Sequence, residues 1–197
     1  MFHIIGVAHR AQVIRPGNEL TEDQKRLSRC LSRLVKEFRP ALVAEEQSAE
    51  GLGENQSIPQ QTAASAGIEH RFCDPDSKQR AAMGYRDRQA IGLEIFLSSE
   101  GWDLSPAEIE AKAGAIEIAR YFPMRERFWL DKLVDRADSE IAFVCGDAHI
   151  EAFVDLLNER RIPSRLVDRA IGVNDEDRYV LGSALNYLRE HPEIRDS

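Results

Sequence analysis

The sequence predicts an α/β protein, with a mostly parallel sheet of about five strands flanked by helices and a helical insertion between strands three and four. Three observations carry that prediction. Short apolar runs, the clearest being those that open at Phe2, Ala41 and Ile141, lack the polar alternation of a half-exposed strand and suit strands buried on both faces. Stretches with apolar residues at helical spacing lie between the runs. Residues 77–136 contain no strand-like run, which makes them the insertion. At 197 residues and 43% hydrophobic, the chain is long enough to bury a core, and it reads as a single domain, 1–197, carrying the insertion 77–136.

The elements follow in order. The apolar run that opens the stretch Phe2–His9 is the first strand, and Gly6 and His9 follow it. A polar loop with the turn pair Pro16-Gly17 leads to a capping box, Thr21 with Gln24. Leu27, Cys30, Leu31, Leu34, Val35 and Phe38 then define one face of a helix that Pro40 ends. The second strand, Ala41–Ala44, runs into Glu45-Glu46. Strand neighbours point to opposite faces, so only one of these two acids is expected to enter a site. Residues 47–64, rich in Gly, Ser, Gln and Asn, predict a flexible loop leading into a short helix, placed where a lid would be.

Gly67–Cys73 is the third strand, ending in Asp74-Pro75-Asp76; His70 shares a face with Ile68 and Phe72 and reads as structural. In the insertion, Gln79–Leu97 is helix-like. Ser105, Pro106 and Glu108 open a second helix with a capping box, and Pro123 is expected to separate it from a third, Met124–Val134. Ile141–Cys145 is the fourth strand, followed by Gly146, Asp147 and His149. An amphipathic helix then runs to Arg160, a short strand covers Ile162–Val167, and a last helix spans Asp175–Leu188 with Leu181, Ala184, Leu185 and Leu188 on one side.

Composition narrows the function. The formal net charge is −8 and basic residues cluster only in short pairs such as Arg160-Arg161, which argues against nucleic acid as a partner. The three cysteines, Cys30, Cys73 and Cys145, lack zinc-ligand spacing and read as reduced, packed thiols. There is no apolar run long enough to cross a bilayer and no basic leader at the N-terminus, so the expected setting is cytoplasmic, without a membrane.

Gly-x-x-His occurs twice after a strand, as Gly6…His9 and Gly146…His149. In parallel sheets ligands sit beyond the carboxyl ends of the strands, which is where both histidines fall. Taken singly, each motif also reads as a turn glycine with a loop histidine. Their order along the chain says more: a strand with Gly-x-x-His, a strand ending in acid, a strand ending in Asp, an arginine-bearing helix, and a second strand with Gly-x-x-His. This order resembles the superfamily of TraB, Tiki, ChaN and the erythromycin esterases. The resemblance runs from Gly6 to about Val167. Pro40, Val43 and Glu46 match its Pro-x-x-Val-x-x-Glu motif, and Asp74 its strand-ending aspartate. Arg125, Glu126 and Trp129 match a motif in which Asn or Asp is usual where Glu126 stands. The chain is short for that superfamily and has neither the membrane tail of TraB proteins nor the lipoprotein signal expected of ChaN.

The resemblance implies a hydrolase, peptidase- or esterase-like, acting on a small-molecule or peptide substrate. It implies that His9, Glu46 and His149 activate water, and that Arg125 stabilises an oxyanion or holds an anionic substrate group. Two imidazoles with carboxylates can hold a divalent transition metal, Mn, Co, Fe or Zn, on His9, Glu46, His149 and Asp74. Without metal the same groups can perform general-base chemistry. The alternative is a non-catalytic protein, an immunity or regulatory partner of another protein, that kept the fold.

Overall fold

The computed structural model describes residues 1–195, except the side chains of Ser99 and Glu100. In chain order the elements are β1 (Phe2–Val7), α1 (His9–Gln12), β2 (Val13–Ile14), α2 (Glu22–Phe38), β3 (Leu42–Glu45), α3 (Ala49–Leu52), β4 (Gln56–Ser57), α4 (Ile58–Ala66) and β5 (Glu69–Phe72). They continue with α5 (Ser77–Ala82), α6 (Arg88–Leu97), α7 (Pro106–Ile116), α8 (Phe122–Leu133), β6 (Ile141–Gly146), α9 (Ile150–Glu159), β7 (Ser164–Ile171) and α10 (Asp175–Glu190). They form two compact units. The first comprises Met1–Ser77 and Glu126–Val173; the second comprises Lys78–Arg125 and the described residues from Asn174 onward.

In the first unit one sheet has the order β5-β3-β6-β1-β7, with every neighbouring pair parallel. β1 and β6 are buried along their whole length, β1 including its one polar residue, His3. On one face Phe2, Ile4, Leu42, Ala44 and Phe143 pack against Trp129, Leu130 and Leu133 of α8 and Ile150, Phe153 and Leu157 of α9. On the other, Ile5, Val7, Val43, Ala142 and Val144 pack against Leu27, Leu31 and Leu34 of α2 and Ile58 and Ala63 of α4. Each fully buried side chain of this size contributes about 1.5–3 kcal/mol relative to exposure, so both faces are strongly fixed.

This layering creates a topological switch. After β1 and β3 the chain passes to α2 and α4 on one face; after β6 it passes to α9 on the other. β6 lies between β3 and β1, so the crevices where such folds bind ligands open at its carboxyl end. Register aligns the strand ends there: Val7 is opposite Gly146, and Glu45 is opposite Val144 and Phe72.

In the second unit, α6 and α7 enclose Ile91, Ile95 and Ala113, while α7 and the chain's end enclose Ala115, Leu188 and Ile194. α10 approaches α7 so closely that a Cβ on Gly114 would lie 2.8 Å from Ala184 Cβ. The final helix therefore packs with the inserted helices.

Several local readings change. Residues 47–64 are more structured than a flexible loop, because Ser48 and Ser57 cap α3 and α4 through their hydroxyls. The same segment pairs through β4 with β2, Val13 opposite Ser57. Gln79–Leu97 is two helices, parted at Gly84, whose φ of +66° ends the first. Pro123 separates nothing: a π-helical turn, Glu117–Tyr121, leads straight into α8, with Phe122 N–H bonding to Glu117 O. Widening the turn by one residue shifts the bonding pattern so that proline's missing N–H is tolerated. β7 is longer than read and starts at Ser164, because Pro163 donates no ladder bond and offers only its carbonyl, to Phe2 N–H at 2.8 Å. On α10, Ala184 and Leu188 are buried whereas Leu185 is exposed.

Candidate functional site

Glu46 is the centre of the site. It directly follows β3, its backbone N–H continues the ladder to Val144 O at 2.8 Å, and its side chain is buried. Glu46 Oε2 accepts the N–H of Gly146 at 2.6 Å, which locks the carboxylate against the end of β6. Its other oxygen, Oε1, lies 3.6 Å from Nε2 of His9 and 3.6 Å from Nε2 of His149. The two Gly-x-x-His motifs thus converge on one carboxylate oxygen.

The histidines differ in setting. His9 opens α1 and its side chain is 55% exposed, whereas His149, just before α9, is buried at 3%. Nδ1 of His149 is 2.8 Å from Oε1 of Glu126, itself buried on α8. A carboxylate there accepts a hydrogen bond from Nδ1–H and favours the tautomer that leaves Nε2 as the lone-pair nitrogen. The ring packs edge-on against Trp129, with centroids 4.8 Å apart, and Trp129 in turn tilts against Phe143 and meets Phe153 edge-on. The indole Nε1–H of Trp129 donates to Asp74 Oδ1 at 3.1 Å, so Asp74 acts on this wall of the site through the tryptophan.

Gly146 is needed at close quarters. A Cβ there would stand 3.1 Å from Glu46 Oε2, 3.5 Å from His149 Cδ2 and 3.6 Å from His9 Nε2, in the middle of the three side chains. Gly6 serves a different purpose, since a Cβ at that position would run into Ile150 Cδ1 and lie 2.6 Å from Asp147 Oδ1. Asp147 accepts the N–H of Ala170 at 2.8 Å and pairs with Arg169 at 3.2 Å. It holds the irregular end of β7, where Ala170 has a φ of +57°.

Glu45 points to the opposite face, as strand alternation requires, where Oε1 meets Ser57 Oγ and lies 2.8 Å from His70 Nε2. Arg125 is the last residue of the second unit, with its guanidinium 5.8 Å above the Tyr85 ring. Glu126, not among the expected site residues, is the partner that orients His149. The sequence carried a signal for it: Glu126, Trp129, Leu130 and Leu133 fall at i, i+3, i+4 and i+7, and all four are buried.

The donor types, two imidazoles and a carboxylate, suit a borderline divalent cation. The two separations of 3.6 Å also lie near the ligand–ligand edge, about 3.4 Å, of a tetrahedral site with bonds of about 2.1 Å. Among the described residues, however, no group of three or more His, Cys, Asp or Glu side chains is arranged to hold a metal ion. No described helix is long and apolar enough to cross a membrane. Protein-family models, curated proteins and solved structures were each compared with the chain, and none matches it.

Proposed function

We propose that the chain is a hydrolase of the TraB/Tiki-like type, peptidase- or esterase-like, that activates water between His149 and Glu46. The observation that carries this reading is the line of groups Glu126–His149–Glu46. A buried carboxylate fixes the imidazole through Nδ1, and Nε2 stands 3.6 Å from a second carboxylate oxygen. That separation is too long for a direct hydrogen bond, and a water beside the pair is within reach of both atoms.

A water at that position gives a proton to His149 Nε2 as its oxygen attacks the substrate carbonyl carbon. Collapse of the tetrahedral adduct breaks the acyl–oxygen or acyl–nitrogen bond, and the proton passes from the imidazolium to the leaving group. Water and substrate are consumed, an acid and an alcohol or amine are formed, and the histidine returns to its starting state. Glu46 orients the water; His9, at the solvent side, completes the polar wall. A divalent transition metal, Mn, Co, Fe or Zn, held by His9, His149 and Glu46 would further acidify a bound water.

The test is hydrolysis of a panel of aryl esters and chromogenic peptides by the wild type and by Glu46→Gln, each before and after chelation. The reading expects turnover in the wild type and a loss of at least about 100-fold in Glu46→Gln, the order of effect seen when a positioning group for the reacting atoms is removed. Loss on chelation with recovery on adding metal would assign the metal route, and indifference the general-base route. A wild type inert on every member would instead favour the non-catalytic partner protein.

A further inference from the structure

Beside His9 the first unit builds a cavity of about 470 Å3, whose lining includes Arg10, Arg15, Asn18, Glu19 and Asn55 as well as His9 itself. Two guanidiniums against one carboxylate give these residues a net charge of +1, in a chain whose formal net charge is −8. Two arginines lining one concavity, with the apolar Val13 and Ile14 in the same wall, focus the field on an anion in an otherwise acidic protein. Arg10 is anchored, donating to Gly172 O at 2.5 Å. Arg15 is exposed and its guanidinium makes no ion pair or hydrogen bond among the described residues.

The frame around Arg15 is fixed although the side chain is uncommitted. Asn18 N–H bonds back to Arg15 O at 3.2 Å across Pro16-Gly17, and Gly17 has the φ of +79° that a type II turn demands at its third position. Immediately before Arg15, Val13 and Ile14 pair with Ser57 and Gln56. From below, buried Gln24 donates to Val13 O at 2.6 Å while its Oε1 accepts Thr21 N–H at 2.9 Å. A rigid backbone presenting an unpaired guanidinium beside a candidate catalytic histidine leaves only the side chain to be ordered on binding.

We propose that this cavity takes an oxyanion of the substrate, a carboxylate or a phosphate group, on Arg15 and Arg10, and so directs the scissile bond to His9 and His149. What the pocket serves rests on the hydrolase reading; the binding of an oxyanion does not. The probes are therefore inorganic phosphate and succinate, titrated at low ionic strength into the wild type, His149→Ala and Arg15→Gln, with chloride as the control. Saturable binding is expected in the wild type and in His149→Ala, at least tenfold weaker in Arg15→Gln, with the tighter probe naming the oxyanion. The kinetic arm compares phenyl acetate with phenyl hydrogen succinate. The wild type is expected to favour the charged ester at least tenfold in kcat/KM, and Arg15→Gln to lose that ratio. Anion binding without hydrolysis of any ester upholds the oxyanion site and overturns the hydrolase reading alone. Hydrolysis with no anion binding, or equal binding by Arg15→Gln, overturns the oxyanion site.

Discussion

Replacing Gly146 by alanine places a single methyl group among the three side chains proposed to hold the reacting water. The backbone accepts it, since Gly146 has φ −57° and ψ 136°, open to any residue. Two of the three contacts, 3.5 Å to His149 Cδ2 and 3.6 Å to His9 Nε2, are ordinary packing distances. Only the 3.1 Å approach to Glu46 Oε2 asks for a shift, of a few tenths of an ångström. A strain of about 1 kcal/mol follows, low in the range for added core methylenes, and it lowers Tm by about 2–4 °C in a chain of this size. The site is affected more severely. The methyl fills the space where the reacting water is placed, and pushing that water about 1 Å from its position costs about 100-fold in rate. Thermal melts and hydrolysis of an aryl ester measure both effects on one sample. Gly6→Ala is the control, because its methyl meets Ile150 and Asp147 and is expected to cost about 1–3 kcal/mol of stability without entering the site. An active Gly146→Ala enzyme with a native melt would refute the placement of water at this point.

Other outcomes follow from the same geometry. Trp129→Phe keeps most of the aromatic packing but removes the indole donor to Asp74; a loss of about 1–3 kcal/mol is expected, read from urea unfolding. If the divalent metal belongs to the function, added Zn, Mn, Co or Fe raises Tm of the wild type, and His9→Ala and His149→Ala each abolish most of the shift; equal responses in all three proteins would exclude that site. Burial pushes the Cys73 thiol up to about 12 from an ordinary 9.0. Between those values the unfolded chain has lost a proton that the folded chain keeps, so stability falls as pH rises, by about 1.4 kcal/mol per pH unit. Urea midpoints compared between pH 8 and pH 10.5 should therefore show a steeper decline for the wild type than for Cys73→Ala, and parallel declines would remove Cys73 as the cause.

The sequence made some of this architecture legible and left the rest hidden, for physical reasons. Strands buried on both faces write themselves as apolar runs, so β1, β3 and β6 stand out, and the period of two puts Glu45 and Glu46 on opposite faces without saying which enters the site. The capping boxes at Thr21 and Ser105 are local chemistry and fold as read. Glu126 was harder. Its place at the buried i position of the Trp129, Leu130, Leu133 stripe is visible, but nothing local shows that a histidine meets it there. Nothing local distinguishes a π-helical turn before Pro123 from a helix break. The choice of α10 to pack on α7 is also tertiary, resting on the close approach at Gly114.

The central claim is that Glu126 and His149 act as one device on the reacting water. A double-mutant cycle tests it most directly, with kcat/KM for the best ester measured for the wild type, Glu126→Ala, His149→Ala and the pair, each checked for a native fold by near-UV circular dichroism. Residues that work as a unit are non-additive, so His149→Ala should lose at least about 100-fold and the double variant should be no slower than His149→Ala alone. Multiplying losses, or a His149→Ala enzyme as fast as the wild type, would contradict the account.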